Sequence, residues 1–159
     1  MKLMVTRFNN NTWSENQRWR ERNDNHSCIY NAPVRVKENI PLGIAIYVIE
    51  MNNDTNQIMG IGRIVNRVRT DKKYKIYEDN NYNRYTYQVK KRLDKEQISN
   101  EASKDDLEKL KKLEARIFTT KKHLKRGQGI SQVTPDVEKE YLKFVAGLFT
   151  STVYNNVKP

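Results

Sequence analysis

Ile44-Ala45-Ile46-Tyr47-Val48-Ile49-Glu50-Met51, then Asn52-Asn53-Asp54-Thr55-Asn56, then Gln57-Ile58-Met59-Gly60-Ile61-Gly62-Arg63-Ile64-Val65: this stretch decides the fold. Its first run is β-branched and apolar at successive positions, as in a strand covered on both faces. Turn formers follow without a break, and a second strand-like run comes after them. The two runs predict a hairpin at the centre of the fold. Gly60 and Gly62, two residues apart, fall on one face of the second strand. A strand without side chains at those points bends or lets another backbone or ring come close, as in a curved barrel.

Working outward, residues 2–8 place Leu3, Val5 and Phe8 nearly in strand phase. Asn9 to Thr12 is a turn cluster, and Thr12 is expected to cap a helix from Trp13 to Arg22 with Trp13 and Arg20 on one side. Ser27 to Tyr30 and Val34 to Lys37 read as short extended pieces around Pro33. Tyr74 to Tyr77 and Tyr82 to Val89 read as further strands, separated by Glu78-Asp79-Asn80-Asn81. The chain then turns helical. Ser103 caps a helix through about Phe118, with Asp105 and Asp106 at the positive end of its dipole and Leu107, Leu110, Leu113 and Ile117 as its apolar stripe. Thr134-Pro135-Asp136 starts a last helix that buries Val137, Tyr141, Phe144, Val145 and Leu148. Lys158-Pro159 is expected to fray. Strands first and helices later predict an α+β fold, a small curved β-barrel with flanking helices, as one domain over residues 1–159.

The 159 residues carry a formal net charge of +11. Between Arg63 and Arg92 ten Lys or Arg face three acids, and residues 121–126 add Lys121, Lys122, Lys125 and Arg126, so these two stretches hold the whole excess. A localised surplus of this kind is the footprint of phosphate binding. No run approaches the roughly 20 apolar residues of a membrane span. The first residues lack the apolar core of a signal peptide. A single cysteine, Cys28, excludes an intramolecular disulfide framework and suits a reducing compartment.

The candidate chemistry is binding. Arg63, Arg67, Arg69, Lys72, Lys73, Arg84, Lys121, Lys122, Lys125 and Arg126 are the expected phosphate contacts, because cations that neutralise phosphates release counterions. Trp13, Trp19, Tyr30, Tyr47, Tyr82 and Tyr85 are the candidate stacking or pocket rings. Asn52 and Asn53 serve the turn, with contact to a base edge as their second role. Lys125-Arg126-Gly127-Gln128-Gly129 reads either as a basic turn or as a phosphate-gripping loop, and it lacks the Walker spacing. Reversing Lys125 and Arg126 is expected to weaken binding to every sequence about equally. His26, Cys28 and His123 match no zinc spacing and supply no third ligand, and the pairs Glu78-Asp79 and Asp105-Asp106 are explained by a turn and a helix cap. No metal, cofactor or catalytic residue is expected.

Two resemblances add to this reading. Glu50 to Gly62, Ile76 to Tyr85, Lys125-Arg126-Gly127-Gln128-Gly129-Ile130 and Cys28-Ile29-Tyr30 together resemble the signature of a family of small proteins of large DNA viruses, one that carries little function with it. More loosely, an apolar strand, a polar turn and a second strand with Gly60 and Gly62 are similar to the PUA-like superfamily and its YTH and EVE domains. That likeness implies a small curved barrel that binds RNA or DNA and often holds a modified base among aromatic rings. The sequence thus predicts a PUA-like nucleic-acid-binding module, RNA ahead of DNA, acting in the cytoplasm or nucleus of a host cell or within the virion. Its surface would be residues 63–92 and 121–130. The competing readings are a virion-associated adaptor with an acidic protein partner and, behind it, a nuclease or other hydrolase.

Overall fold

A computed structural model describes residues 1–23 and 28–150; His26, Ser27 and Lys158-Pro159 lie outside the described residues. Six strands, β1 (Lys2–Phe8), β2 (Cys28–Ala32), β3 (Ala45–Asn52), β4 (Gln57–Val65), β5 (Tyr85–Asp94) and β6 (Ser131–Gln132), form one sheet in the order β2-β5-β4-β3-β1-β6. Four helices join them: α1 (Asn10–Arg22), α2 (Lys95–Glu101), α3 (Lys104–Phe118) and α4 (Pro135–Leu148). The fold is α+β, and the sheet curls into a half-barrel. The central hairpin is the expected one, β3 antiparallel to β4 with Val48 opposite Gly62 and Glu50 opposite Gly60. Asn56 closes its turn at φ 54°, the left-handed geometry that asparagine tolerates. β1 runs parallel to β3, so the chain crosses over between them through α1 and β2.

The sheet is apolar on both faces, as its central strand implies. One face presents Leu3 and Val5 from β1, Tyr47, Ile49 and Met51 from β3, Ile61 from β4 and Leu93 from β5. Against it pack Ile98 of α2, Leu113 and Ile117 of α3, and Val137, Tyr141, Val145 and Leu148 of α4. The other face presents Met4, Tyr30, Ile46, Val48, Ile64, Tyr87 and Val89, closed by Val36, Ile40 and Ile130 from loops. A third cluster joins Phe8 to Trp19, Ile29, Tyr74, Ile76 and Tyr77, with Trp13 against it.

The paired glycines make the inner face possible. The Tyr30 ring lies over β4, so a Cβ on Gly62 would fall 2.1 Å from the Tyr30 hydroxyl oxygen and 3.0 Å from Val89 Cγ1. A Cβ on Gly60 would meet Arg92 Nη2 at 2.7 Å and the Leu93 carbonyl oxygen at 2.9 Å. Gly62→Ala is therefore expected to destabilise the fold by about 1–3 kcal/mol through overpacking. Urea denaturation measures this, and an unchanged midpoint would mean that Tyr30 does not sit there.

Several local expectations change. α1 begins two residues before Thr12: Asn9 is its N-cap, and Thr12 is the third residue of a reciprocal capping box. Tyr74 to Tyr77 is not a strand, because Asn83 takes its hydrogen bonds. Asn83 Oδ1 accepts from the N–H of Ile76 (3.2 Å) and Tyr77 (3.0 Å), and Asn83 Nδ2 donates to the Tyr77 carbonyl (2.6 Å). For the same reason the run expected as a strand from Tyr82 opens as a 3-10 turn at Asn80–Asn83, and β5 starts at Tyr85. Val34 to Lys37 joins no ladder; the Val36 N–H donates to the Tyr87 hydroxyl instead, at 2.9 Å.

Candidate nucleic-acid interface

Two depressions draw on the Asn80–Asn83 turn for part of their lining. The larger, about 780 Å³, is lined by Arg35, Val68, Arg69, Thr70, Lys72, Lys73, Tyr74, Lys75, Asn80, Asn83, Arg84, Tyr85 and Thr86. Six of these are cations and none is a carboxylate. The turn holds its shape because Asn31, on β2, donates from Nδ2 to the Tyr74 carbonyl (2.7 Å) and to Asn83 Oδ1 (3.0 Å), and accepts at Oδ1 from the Thr86 hydroxyl (2.5 Å). The Arg69 N–H donates to the Thr86 carbonyl, which fixes the other wall to β5. Cations already cover two of the tyrosine rings. The Arg35 guanidinium lies 5.0 Å from the Tyr85 centroid, and Arg69 and Lys72 lie 5.1 and 5.0 Å from that of Tyr74. Asp71 offsets part of the charge by pairing with Arg69 at 2.9 Å, and Lys72, Lys73, Lys75 and Arg84 have no ion-pair partner among the described residues.

The smaller depression, about 240 Å³, takes Tyr82 of the same turn into its lining. Its lining comes from the end of β1 and the start of α1 (Thr6, Arg7, Phe8, Asn9, Thr12), from Asn31, Pro33 and Asn53, from Tyr77 and Tyr82, and from Lys125, Gly127, Gln128 and Gly129. Asn53 Nδ2 donates to the Lys125 carbonyl at 2.8 Å and ties the hairpin turn to the basic loop. Comparison with protein-family models, with curated proteins and with solved structures finds no match. The functional reading of this chain therefore rests on its own residues.

Of the expected phosphate contacts, Arg69, Lys72, Lys73 and Arg84 meet in the larger depression and Lys125 lines the smaller. Arg63, Arg67, Lys121, Lys122 and Arg126 line neither. Arg63 is half-buried on β4 opposite Tyr47, Arg67 is exposed beside Gly43, and the other three sit on exposed turn positions after α3. Among the expected rings, Tyr82 is 45% exposed and Tyr85 is half-buried. Burial corrects the stacking role expected of Tyr30, Tyr47 and Trp19, while Trp13 is half-buried. Tyr30 is 2% exposed beneath its bond to Glu50, Tyr47 packs edge-on against Phe149, and Trp19 packs edge-on against Tyr74. The Trp13 ring is taken by Phe8 at 5.2 Å and by the guanidinium groups of Arg20 and Arg92 at 5.0 and 5.6 Å. Asn52 is buried, bonded to Asn10 and to the N–H groups of its own turn, while Asn53 reaches the smaller depression. Trp13, Trp19, Tyr30 and Tyr47 line neither depression.

Sequence reading missed Arg7, Arg35, Glu50 and Arg92. The last two form a buried pair on the inner face: Arg92 Nε donates to Glu50 Oε2 at 2.8 Å, Arg92 Nη2 to Oε1 at 2.5 Å, and the Tyr30 hydroxyl to Oε2 at 2.6 Å. Burial pulls the Arg92 guanidinium down, and the Glu50 charge and hydrogen bonds more than reverse that, so its pKa is raised. Nearby, burial first and the Glu50 carboxylate second push the Cys28 thiol up to about 12, against Arg92 and Arg20. Burial and Glu50 raise the Tyr30 phenol as well.

Both groups stay neutral in the fold at a pH where the unfolded chain ionises. Their contribution is complete below the unfolded pKa values, roughly 8.5 for a thiol and 10 for a phenol, and is lost as pH rises above them. The urea midpoint is expected to fall between pH 8 and pH 11, Cys28→Ser is expected to lessen the fall, and a thiol reagent at pH 8 is expected to label Cys28 only after denaturation. Rapid labelling of the native protein would contradict this placement.

Proposed function

We propose that the protein is a nucleic-acid-binding module, RNA ahead of DNA, that captures a single strand by its phosphates in the larger depression. The observation that carries this reading is the lining: Arg35, Arg69, Lys72, Lys73, Lys75 and Arg84 converge with no carboxylate among them. Such a surface repels itself when empty and is relieved by a polyanion. The guanidinium of Arg35 lies on Tyr85 and keeps a second planar face for a base, while Tyr82 offers an exposed ring at the rim. On this reading the half-barrel is a PUA-like one from the viral family that its motifs resemble. It acts by binding rather than catalysis, in the reducing cytoplasm or nucleus of the host cell or in the virion.

The test is fluorescence anisotropy of labelled single-stranded RNA and DNA across a potassium chloride series. With four to six phosphates engaged, log K is expected to fall against log salt with a slope of about −3 to −4. RNA is expected to bind more tightly. Absence of affinity for any oligonucleotide at low salt would sink the proposal and favour an acidic protein as the partner of the same face.

A further inference from the structure

We infer that the smaller depression is a pocket for a phosphate monoester, the phosphorylated end of a strand or a free mononucleotide. The inference rests on the nucleic-acid reading only for the first of those sources.

The argument begins with Arg7. The protein sets two largely buried arginines on its sheet, and it treats them differently. Arg92 has the Glu50 carboxylate as its counter-ion. Arg7 has none among the described residues: Nε donates to the Leu124 carbonyl at 2.6 Å and Nη1 to the Ser131 hydroxyl at 2.9 Å. Those two bonds aim the guanidinium without neutralising it. Its burial lowers the guanidinium pKa, and the group remains charged in the neutral range. A desolvated cation without a counter-ion is costly, and an anion brought against it recovers that cost.

The rest of the lining suits a small anion. Glycine loop residues 127 and 129 have φ of 132° and 64°, and a Cβ on Gly127 would lie 3.0 Å from Arg7 Cζ, so the loop backbone packs directly on the guanidinium. The peptide N–H groups of Gly127, Gln128 and Gly129 donate to no backbone carbonyl among the described residues, and the three residues line the pocket together with Arg7 and Lys125. No carboxylate of the described residues lines the pocket. Asp54, in the hairpin turn next to Asn53, accepts from the N–H of Asn10 at 2.9 Å.

The shape and the remaining polar atom specify more. Thr6, Phe8, Asn31 and Tyr77 are buried and form the floor, so the pocket ends against the sheet and receives a group that terminates there. Asn53 Oδ1 is buried with no hydrogen-bond partner, an acceptor that suits a hydroxyl or amine of the attached nucleoside rather than the phosphate itself. Tyr82 lines this pocket and stands beside Asn83 and Arg84 of the cleft, so a strand held in the cleft has a path over that ring to the pocket.

The experiment compares short single-stranded RNAs that differ only in a 5′-phosphate, a 3′-phosphate or two hydroxyl ends, together with adenosine monophosphate measured alone by calorimetry and as a competitor. One phosphorylated end is expected to bind about 10- to 100-fold more tightly than the hydroxyl form. Arg7→Gln is expected to abolish that preference while leaving the affinity for the hydroxyl strand unchanged. Lys125→Gln, whose side chain forms no ion pair among the described residues, is expected to reduce the preference in the same direction and keeps the test valid should Arg7→Gln fail to fold. Strong binding of adenosine monophosphate with equal competition assigns the pocket to free mononucleotides; weak binding of it assigns the pocket to strand ends. Equal affinity for all ends together with no binding of the mononucleotide overturns the inference and leaves the cleft reading standing. Failure of every strand to bind while the mononucleotide binds through Arg7 overturns the cleft reading and leaves the pocket.

Discussion

Glu50→Ala is expected to cost about 3–5 kcal/mol, enough to leave a domain of ordinary stability marginal or unfolded at room temperature. The carboxylate is 1% exposed and accepts from Arg92 through both oxygens and from the Tyr30 hydroxyl. Alanine removes the acceptors and keeps the donors: a guanidinium only 12% exposed and a buried phenol are left without partners. The penalty is therefore mainly that of an uncompensated buried charge rather than of the lost bonds. It also spreads, because Arg92 leans on the Trp13 ring and Trp13 on Phe8 at the end of β1. Glu50→Met combined with Arg92→Met is expected to recover much of the loss, since it removes charge and counter-charge together. Urea denaturation of the three variants measures all of this. A cost below about 1 kcal/mol for Glu50→Ala would place the pair in solvent, where such pairs contribute little.

How much of this was legible in the sequence depends on how local each cause is. The central hairpin, its asparagine turn and the use of Gly60 and Gly62 follow from neighbours in the chain, and β3, β4 and the glycine contacts agree with them. The same holds for α3, with Ser103 as N-cap and Leu113 and Ile117 buried, and for α4 after Thr134-Pro135. Glu50 and Arg92, by contrast, are 42 residues apart, and nothing in either segment says that one cation of a basic stretch will turn inward. Charge counting therefore located a cationic region but not its members: Arg92 went into the core, Arg63 onto the sheet, and Arg35, from outside the region, joined the cleft. Tyrosines misled in the same way. Tyr74 to Tyr77 has strand composition, yet the Asn83 side chain, reaching back from the following turn, supplies the bonds that a neighbouring strand would have given. The aromatic rings expected at the surface were largely used to seal a small half-barrel, and the exposed ring among the described residues is one on a turn, Tyr82. Arg7 was missed because its value as a site comes from what it lacks, a counter-ion, and absence of a partner is visible only in three dimensions.

The largest effect on binding is expected from reversing the cleft charges together. A chain carrying Lys72→Glu, Lys73→Glu and Arg84→Glu should lose about a thousandfold or more in affinity for single-stranded RNA at low salt, and its salt slope should fall by about 2. The loss should be nearly the same for unrelated sequences, because phosphate contacts position a strand without reading it. The three side chains are exposed and enter no ion pair among the described residues; Arg84 Nη2 donates to Asn81 at 3.1 Å, and Lys72 rests on Tyr74. Their reversal should leave the urea midpoint almost unchanged, which separates a binding defect from a folding one. The decisive control keeps the total charge change comparable and moves it elsewhere. Lys121→Glu, Lys122→Glu and Arg126→Glu sit on turn positions that line neither depression. If the cleft holds the strand, this second variant loses only a few-fold, through the weakened long-range field. If both variants lose affinity equally, the protein attracts polyanions by net charge alone, and the convergence of cations in the cleft has no part in recognition.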